Sequence, residues 1–169
     1  AVDYGLEHSQ IFKMQRTDKG WSDPIAAKEL NREKGSGYPT STNTGEFVFS
    51  SEGDIFFYDG KKHSRLPKEI NSADGEHDPF IAQDGSFLMF GRQIPDKGDS
   101  NMFISFRQGN GWTPAKMLPA PFNKEKVDGS PYVTPDKMYL FFSSNRDGEV
   151  LRTYQAPFKA FYEREKIRF

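Results

Sequence analysis

The chain has 169 residues, with 23 Lys and Arg against 24 Asp and Glu, and its net charge of −1 offers no electrostatic footprint for nucleic acid or an anionic membrane. Cysteine is absent, which excludes disulfides, thiolate metal sites and thiol nucleophiles together. No apolar run approaches the roughly 20 residues of a membrane-spanning helix, and 16 Phe and 7 Tyr beside 15 Gly and 11 Pro are the mixture of an all-β chain rich in turns.

The first predicted element is a short strand at Phe12 in "QIFKMQ", followed by one carrying Trp21 in "GWSDP". From there the chain repeats in a fixed register. With Pro39, Pro79 and Pro131 as origins, an asparagine stands eight residues before each: Asn31, Asn71 and Asn123. A strand is predicted to begin at each proline. Six residues after the first two, Gly45 and Gly85 supply a tight turn; the third copy has Lys137 there. Eight residues after each origin Phe47, Phe87 or Tyr139 opens an apolar run such as "FLMF" or "YLFF". These runs lack polar alternation, so the second strand is predicted to be buried on both faces. The third strands are "DIFFY", "NMFIS" and "EVLRTY". Trp112 matches Trp21 on the fourth strand, whereas the middle copy has "KKHSR" there and a degenerate outer strand. Recurrence of Trp at one position points to packing rather than to sugar stacking. Past Pro157 the tail is the one segment open to helix.

Four strands per unit, buried on both faces, describe radially stacked sheets. The expectation is therefore an all-β chain of β-propeller blades, each a four-stranded antiparallel sheet. About 3 to 3.5 blades form a single partial domain over 1–169, with units at about 9–31, 39–71, 79–123 and 131–158.

The segments "EHDPFIAQDGSFLMF", "GNGWTPAKMLPAPFN" and "TPDKMYLFFSSNRDGE" resemble the Pro-Asp β-propeller repeat of the TolB C-terminal domain and of many bacterial extracytoplasmic proteins, across residues 9–154. The resemblance implies scaffolding, protein binding or carbohydrate-related roles without a shared catalytic motif, and a periplasmic or secreted location. Lys137 and the missing middle Trp depart from the pattern. The first residue is Ala1, as in a processed form or a cut piece. Three and a half blades leave two apolar end faces, from which a two-fold homodimer is expected, joining residues 11–21 of one copy to residues 131–154 of the other.

In an antiparallel meander the crossovers between units and the turn after the second strand share one face. That face gathers Asp74, Glu76, His77, Asp78, Arg92, Asp96, Asp99, Asp128, Arg146 and Asp147. Asp74, Glu76, His77, Asp78, Arg92, Asp128, Arg146 and Asp147 are the candidate ligand-binding set. Glu76, His77 and Asp78 have the chemistry of an acid/base or metal cluster, and equally that of carboxylates capping turn amides beside an exposed His. Asp84 and Asp136, in "QDG" and "PDK", read as turn caps. "DKGDSN" lacks the spacing of a calcium loop, and no motif requires a cofactor or a metal. Two functions remain. One is a noncatalytic binding or scaffold propeller that recognises a protein or glycan through its charged loop face. The other is a propeller enzyme acting on carbohydrate, of the glycoside hydrolase or polysaccharide lyase type, which needs two carboxylates facing a substrate.

Overall fold

A computed structural model describes residues 8–95, 98–124 and 127–166. Its strands follow the repeat. In the first unit β1 (Phe12–Lys13), β2 (Arg16–Thr17), β3 (Gly20–Trp21) and β4 (Ile25–Ala26) form two short ladders, β1 with β4 and β2 with β3. The second unit is a four-stranded meander of β5 (Gly37–Ser41), β6 (Phe47–Ser51), β7 (Asp54–Tyr58) and β8 (His63–Arg65). The third has β9 (Glu76–Ile81), β10 (Phe87–Ile94) and β11 (Asp99–Gln108), with β12 (Gly111–Trp112) and β13 (Lys116–Met117) both paired to β11. The last has β14 (Asp128–Val133), β15 (Tyr139–Ser144) and β16 (Arg152–Pro157), followed by the helix α1 (Lys159–Lys166). All sheet pairings are antiparallel, and the blade architecture expected from the repeat is present.

The doubly buried second strand is borne out most clearly in β10. Phe87, Leu88, Met89 and Phe90 are all 0 % exposed. Leu88 and Phe90 face the second blade, where they join Val48, Ile55, Ile70 and Trp112. Phe87 and Met89 face the last blade, with Val133, Leu140 and Phe142. A third cluster sets Ile11, Ala27 and Leu30 of the first unit against Phe49 and Phe56 of the second. Each such buried side chain contributes about 1.5–3 kcal/mol.

The repeated asparagines are what hold each third strand to the crossover that follows. Asn71 Oδ1 accepts from Ile55 N at 2.8 Å, and its Nδ2 donates to the Ile55 and Leu66 carbonyls, both at 2.9 Å. Asn123 makes the same three bonds to Met102 N, Met102 O and Leu118 O. Asn31, only partly buried, brackets Ile11 N and O. A planar amide with one acceptor and two donors is the side chain that imitates a strand partner in this way.

The inner strands do not begin at the prolines. β5, β9 and β14 start two or three residues earlier, and each prolyl residue sits inside its strand at a register shift. The bulge absorbs the missing N–H, which explains how proline is tolerated there. The middle fourth strand is short but present as β8. Trp112 packs as expected, beneath the Arg107 guanidinium at 4.7 Å. Trp21, by contrast, is 64 % exposed, because its two-residue ladder has no neighbouring sheet over it among the described residues. The tail is helical. Phe158, Phe161, Tyr162 and Glu165 recur at helical spacing and are buried against the third and last blades, and Lys116 pairs with Glu165.

Gly45, Gly85 and Lys137 all adopt the left-handed turn, with φ of 87°, 69° and 59°. Lys137 is strained there, but its Nζ reaches back across the seam to Asp84 Oδ2 and lies 4.9 Å above the Tyr162 ring. Burial pushes the Asp84 carboxyl up, but hydrogen bonds from Lys137 and Ser86 outweigh it and hold the group at about 2. A depressed carboxyl stabilises the fold above its unfolded value and loses that contribution as pH falls through its folded value. Urea midpoints should therefore fall between about pH 4 and pH 2, and Lys137→Met should flatten that fall by at most about 1 kcal/mol, as befits a half-exposed pair.

Candidate functional site

The crossovers and the turns after the second strands do lie together. Glu76 N donates to Gly53 O at 2.8 Å, Gln93 N to Gly75 O at 3.1 Å, and Val127 N to Asn145 Oδ1 at 2.9 Å. Much of the charge on this face is turned inward. Three residues before each proline stand Ser36, Glu76 and Asp128, and each side chain accepts the backbone N–H of the residue that follows the repeated asparagine, at 3.0, 3.0 and 2.7 Å. The Glu76 and Asp128 side chains are 0 % exposed.

Each of these carboxylates is matched by an arginine. Arg92 Nε donates to Glu76 Oε1 at 2.7 Å and its Nη2 to Ile70 O at 2.8 Å, with the guanidinium 4.3 Å above the Phe103 ring. Arg146 Nη2 donates to Asp128 Oδ1 at 2.7 Å, and its two terminal nitrogens also reach Pro121 O and Phe122 O. Its guanidinium stacks on Phe142 at 4.6 Å. Four of the eight candidate residues thus form two internal clamps that fix the crossovers. In the first crossover Arg32 reaches Glu52 and lies over Phe56 to similar effect. Asp147 accepts from the Tyr154 hydroxyl at 2.8 Å. Asp74 is partly buried and has no ion pair among the described residues. Asp99 opens β11, and Asp96 lies outside the described residues.

His77 and Asp78 belong to a different group, at the starts of the inner strands. Tyr38, Asp78 and Ser130 each precede a repeat proline and each is left-handed, with φ of 52°, 49° and 50°. Such a conformation costs a non-glycine residue about 1–2 kcal/mol. The same strain recurs in three successive blades, and it turns these side chains out of the sheet pleat. Ser130 Oγ donates to Asp78 Oδ2 at 2.7 Å, joining the last blade to the third. His77 Nδ1 lies 3.4 Å from the same oxygen, and its Nε2 lies 2.8 Å from Ser100 Oγ. Burial pushes the Asp78 carboxyl up, but the bonds from His77 and Ser130 prevail and hold it below the usual range. Gly91 pairs with His77 across the sheet, and a Cβ there would stand 2.3 Å from the imidazole Cε1, so this ring position requires glycine.

Ser100, His77 and Asp78 are linked in the order of a nucleophile, base and orienting acid. Their burial argues against that chemistry. Ser100 is 4 % and His77 6 % exposed, and Ser100 Oγ is directed at the Asp128 carbonyl, 3.4 Å away. A substrate carbonyl has no approach to that hydroxyl, so the chain of bonds works as a polar seam between blades. No group of three His, Cys, Asp or Glu side chains among the described residues is placed to hold a metal ion. Asp84 and Asp136 cap their turns, accepting Ser86 N at 3.1 Å and Met138 N at 3.0 Å. Sequence reasoning missed Tyr38, Ser100 and Ser130; for Tyr38 and Ser130 the signal was the position before the repeat proline, which they share with Asp78.

No family model and no curated sequence matches the chain. Solved structures do. TolB from Acinetobacter baumannii superposes with a TM-score of 0.53 at 17 % identity, over 80 % of this chain and 32 % of that one. A putative TolB from Agrobacterium tumefaciens gives a TM-score of 0.42 at 13 % identity, over 79 % of this chain and 60 % of that one. The chain spans about a third of the length of the first. The fold is that of TolB-type β-propeller blades. No helix among the described residues is long and apolar enough to cross a membrane.

Proposed function

We propose that this chain is a noncatalytic, extracytoplasmic binding module that recognises a protein or glycan at the inner-strand end of its crossover face. The observation that carries this reading is the repeated left-handed residue before proline. It presents Tyr38, Asp78 and Ser130 at equivalent places in three successive blades, on crossovers of which the second and third are fixed by buried clamps and the first by the partly exposed Arg32–Glu52 pair. Tyr38 is 53 % exposed and offers an aromatic surface. A carbohydrate-cleaving propeller is the weaker reading. Glu76, Asp78 and Asp128 each receive hydrogen bonds from the chain's own donors, which leaves none of them poised as a general base.

Capture from cell extract and a glycan array, run with wild type and with Tyr38→Ala, test the proposal. Binding should fall by about tenfold or more, as for an interface aromatic, with the urea midpoint unchanged. Retained binding by Tyr38→Ala would overturn it.

A second copy is the partner we propose for the end faces. Phe12, Met14, Trp21 and Ile25 at one end and Tyr132 and Tyr139 at the other are exposed. Pairing residues 11–21 of one copy with residues 131–154 of the other should bury more than about 1,000 Å². Light scattering at micromolar concentration should give twice the 19.3 kDa chain mass; a stable monomer refutes this arrangement.

A further inference from the structure

The last blade has an open edge. β7 carries β8 on its outer side and β11 carries β12 and β13, whereas β16 pairs with β15 and, among the described residues, with no strand beyond it. The chain leaves β16 at Pro157 and enters α1 instead. That helix fills the wedge with Phe158, Phe161 and Tyr162, as Trp112 and its neighbours fill the preceding one. The side-chain role of a fourth strand is thereby met, but among the described residues its backbone role is not.

We propose that the outer edge of β16 binds an extended polypeptide segment of another molecule by antiparallel strand addition. Equivalence between blades says what that segment looks like. Gly91 pairs with Met102 and Ser143 with Thr153, so Thr153 and Tyr154 occupy the places of Met102 and Phe103. On β11 those places are covered by Met117, opposite Phe103, and by Leu118, whose N donates to Met102 O at 3.0 Å. The incoming strand therefore carries apolar residues opposite Tyr154 and Thr153 and ends short of Leu151 and Val150, which are 56 % and 68 % exposed just before β16. Charge and proline commonly blunt such edges. Here Arg152 and Pro157 stand only at its ends, and Thr153, Tyr154 and Gln155 between them carry no charge.

The probe is a synthetic peptide of residues 110–118, "NGWTPAKML", the segment that lies on β11, added to the intact protein under amide hydrogen exchange. In the free protein the outward amides of residues 152–155 should exchange readily. The peptide should slow them by about tenfold or more, and a copy N-methylated at alternate residues should not. Slow exchange of all β16 amides before peptide is added would overturn the proposal. So would an unchanged rate with peptide, or a change confined to β11, which would mean displacement of its own outer strands.

Discussion

Arg146→Met should lower the unfolding free energy by about 3–5 kcal/mol, the usual result of stripping a buried charge of its partner. Among the described residues Asp128 would keep the Lys124 N–H alone, and the Pro121 and Phe122 carbonyls would lose a donor as well. Arg92→Met should act comparably through Glu76 and Ile70 O. Adding Asp128→Asn to Arg146→Met should recover part of the loss, because the unpaired charge is then gone. Urea unfolding of the two single variants and the double variant checks this. A loss below about 1 kcal/mol, the range of exposed pairs, would mean that these charges are open to solvent and free to meet a ligand, as their place on the loop face first suggests.

Asn71→Ala and Asn123→Ala should each be destabilising by about 2–4 kcal/mol, since each deletion takes the side-chain acceptor from a buried N–H of the third strand and a donor from the Leu66 or Leu118 carbonyl, while the Ile55 or Met102 carbonyl keeps only its backbone donor among the described residues. Over a chain of this length that corresponds to a drop in Tm of roughly 4–16 °C. Asn31→Ala should do less, because Asn31 is partly buried and brackets a single residue. Calorimetry on the three variants gives the order directly. Equal effects at all three sites would show that the amide acts through something other than burial of these bonds.

The fold was legible because each unit states it again. Proline, glycine and aromatic positions that mean little once become a register when they recur, and the unbroken apolar run of β10 demands cover on both faces. The strand starts were misplaced because proline ordinarily opens a strand, and nothing local announces that a left-handed residue and a bulge will carry it inside one. The candidate site was legible only as a face. Antiparallel parity brings Glu76, Arg92, Asp128 and Arg146 to one side, but a carboxylate and a guanidinium 16 or 18 residues apart give no sign that they point at each other rather than outward. The shared place of Glu76 and Asp128 three residues before proline, with Ser36 as the third member, was the available clue. Ser100 was invisible for a different reason, since its link to His77 depends on the width of one sheet and on the empty side of Gly91.

The three apolar clusters have a mechanical consequence. Among the described residues each is shared by two adjacent blades and by no third, so free energy passes from sheet to neighbouring sheet as along a short row of links. A defect at Ile11 or Leu30 loosens the first link and should not be felt at Phe142. Tension applied to the two termini should therefore open the molecule stepwise from the N-terminal side. There the first ladders pair only two residues each, while the helix keeps the far link closed longest.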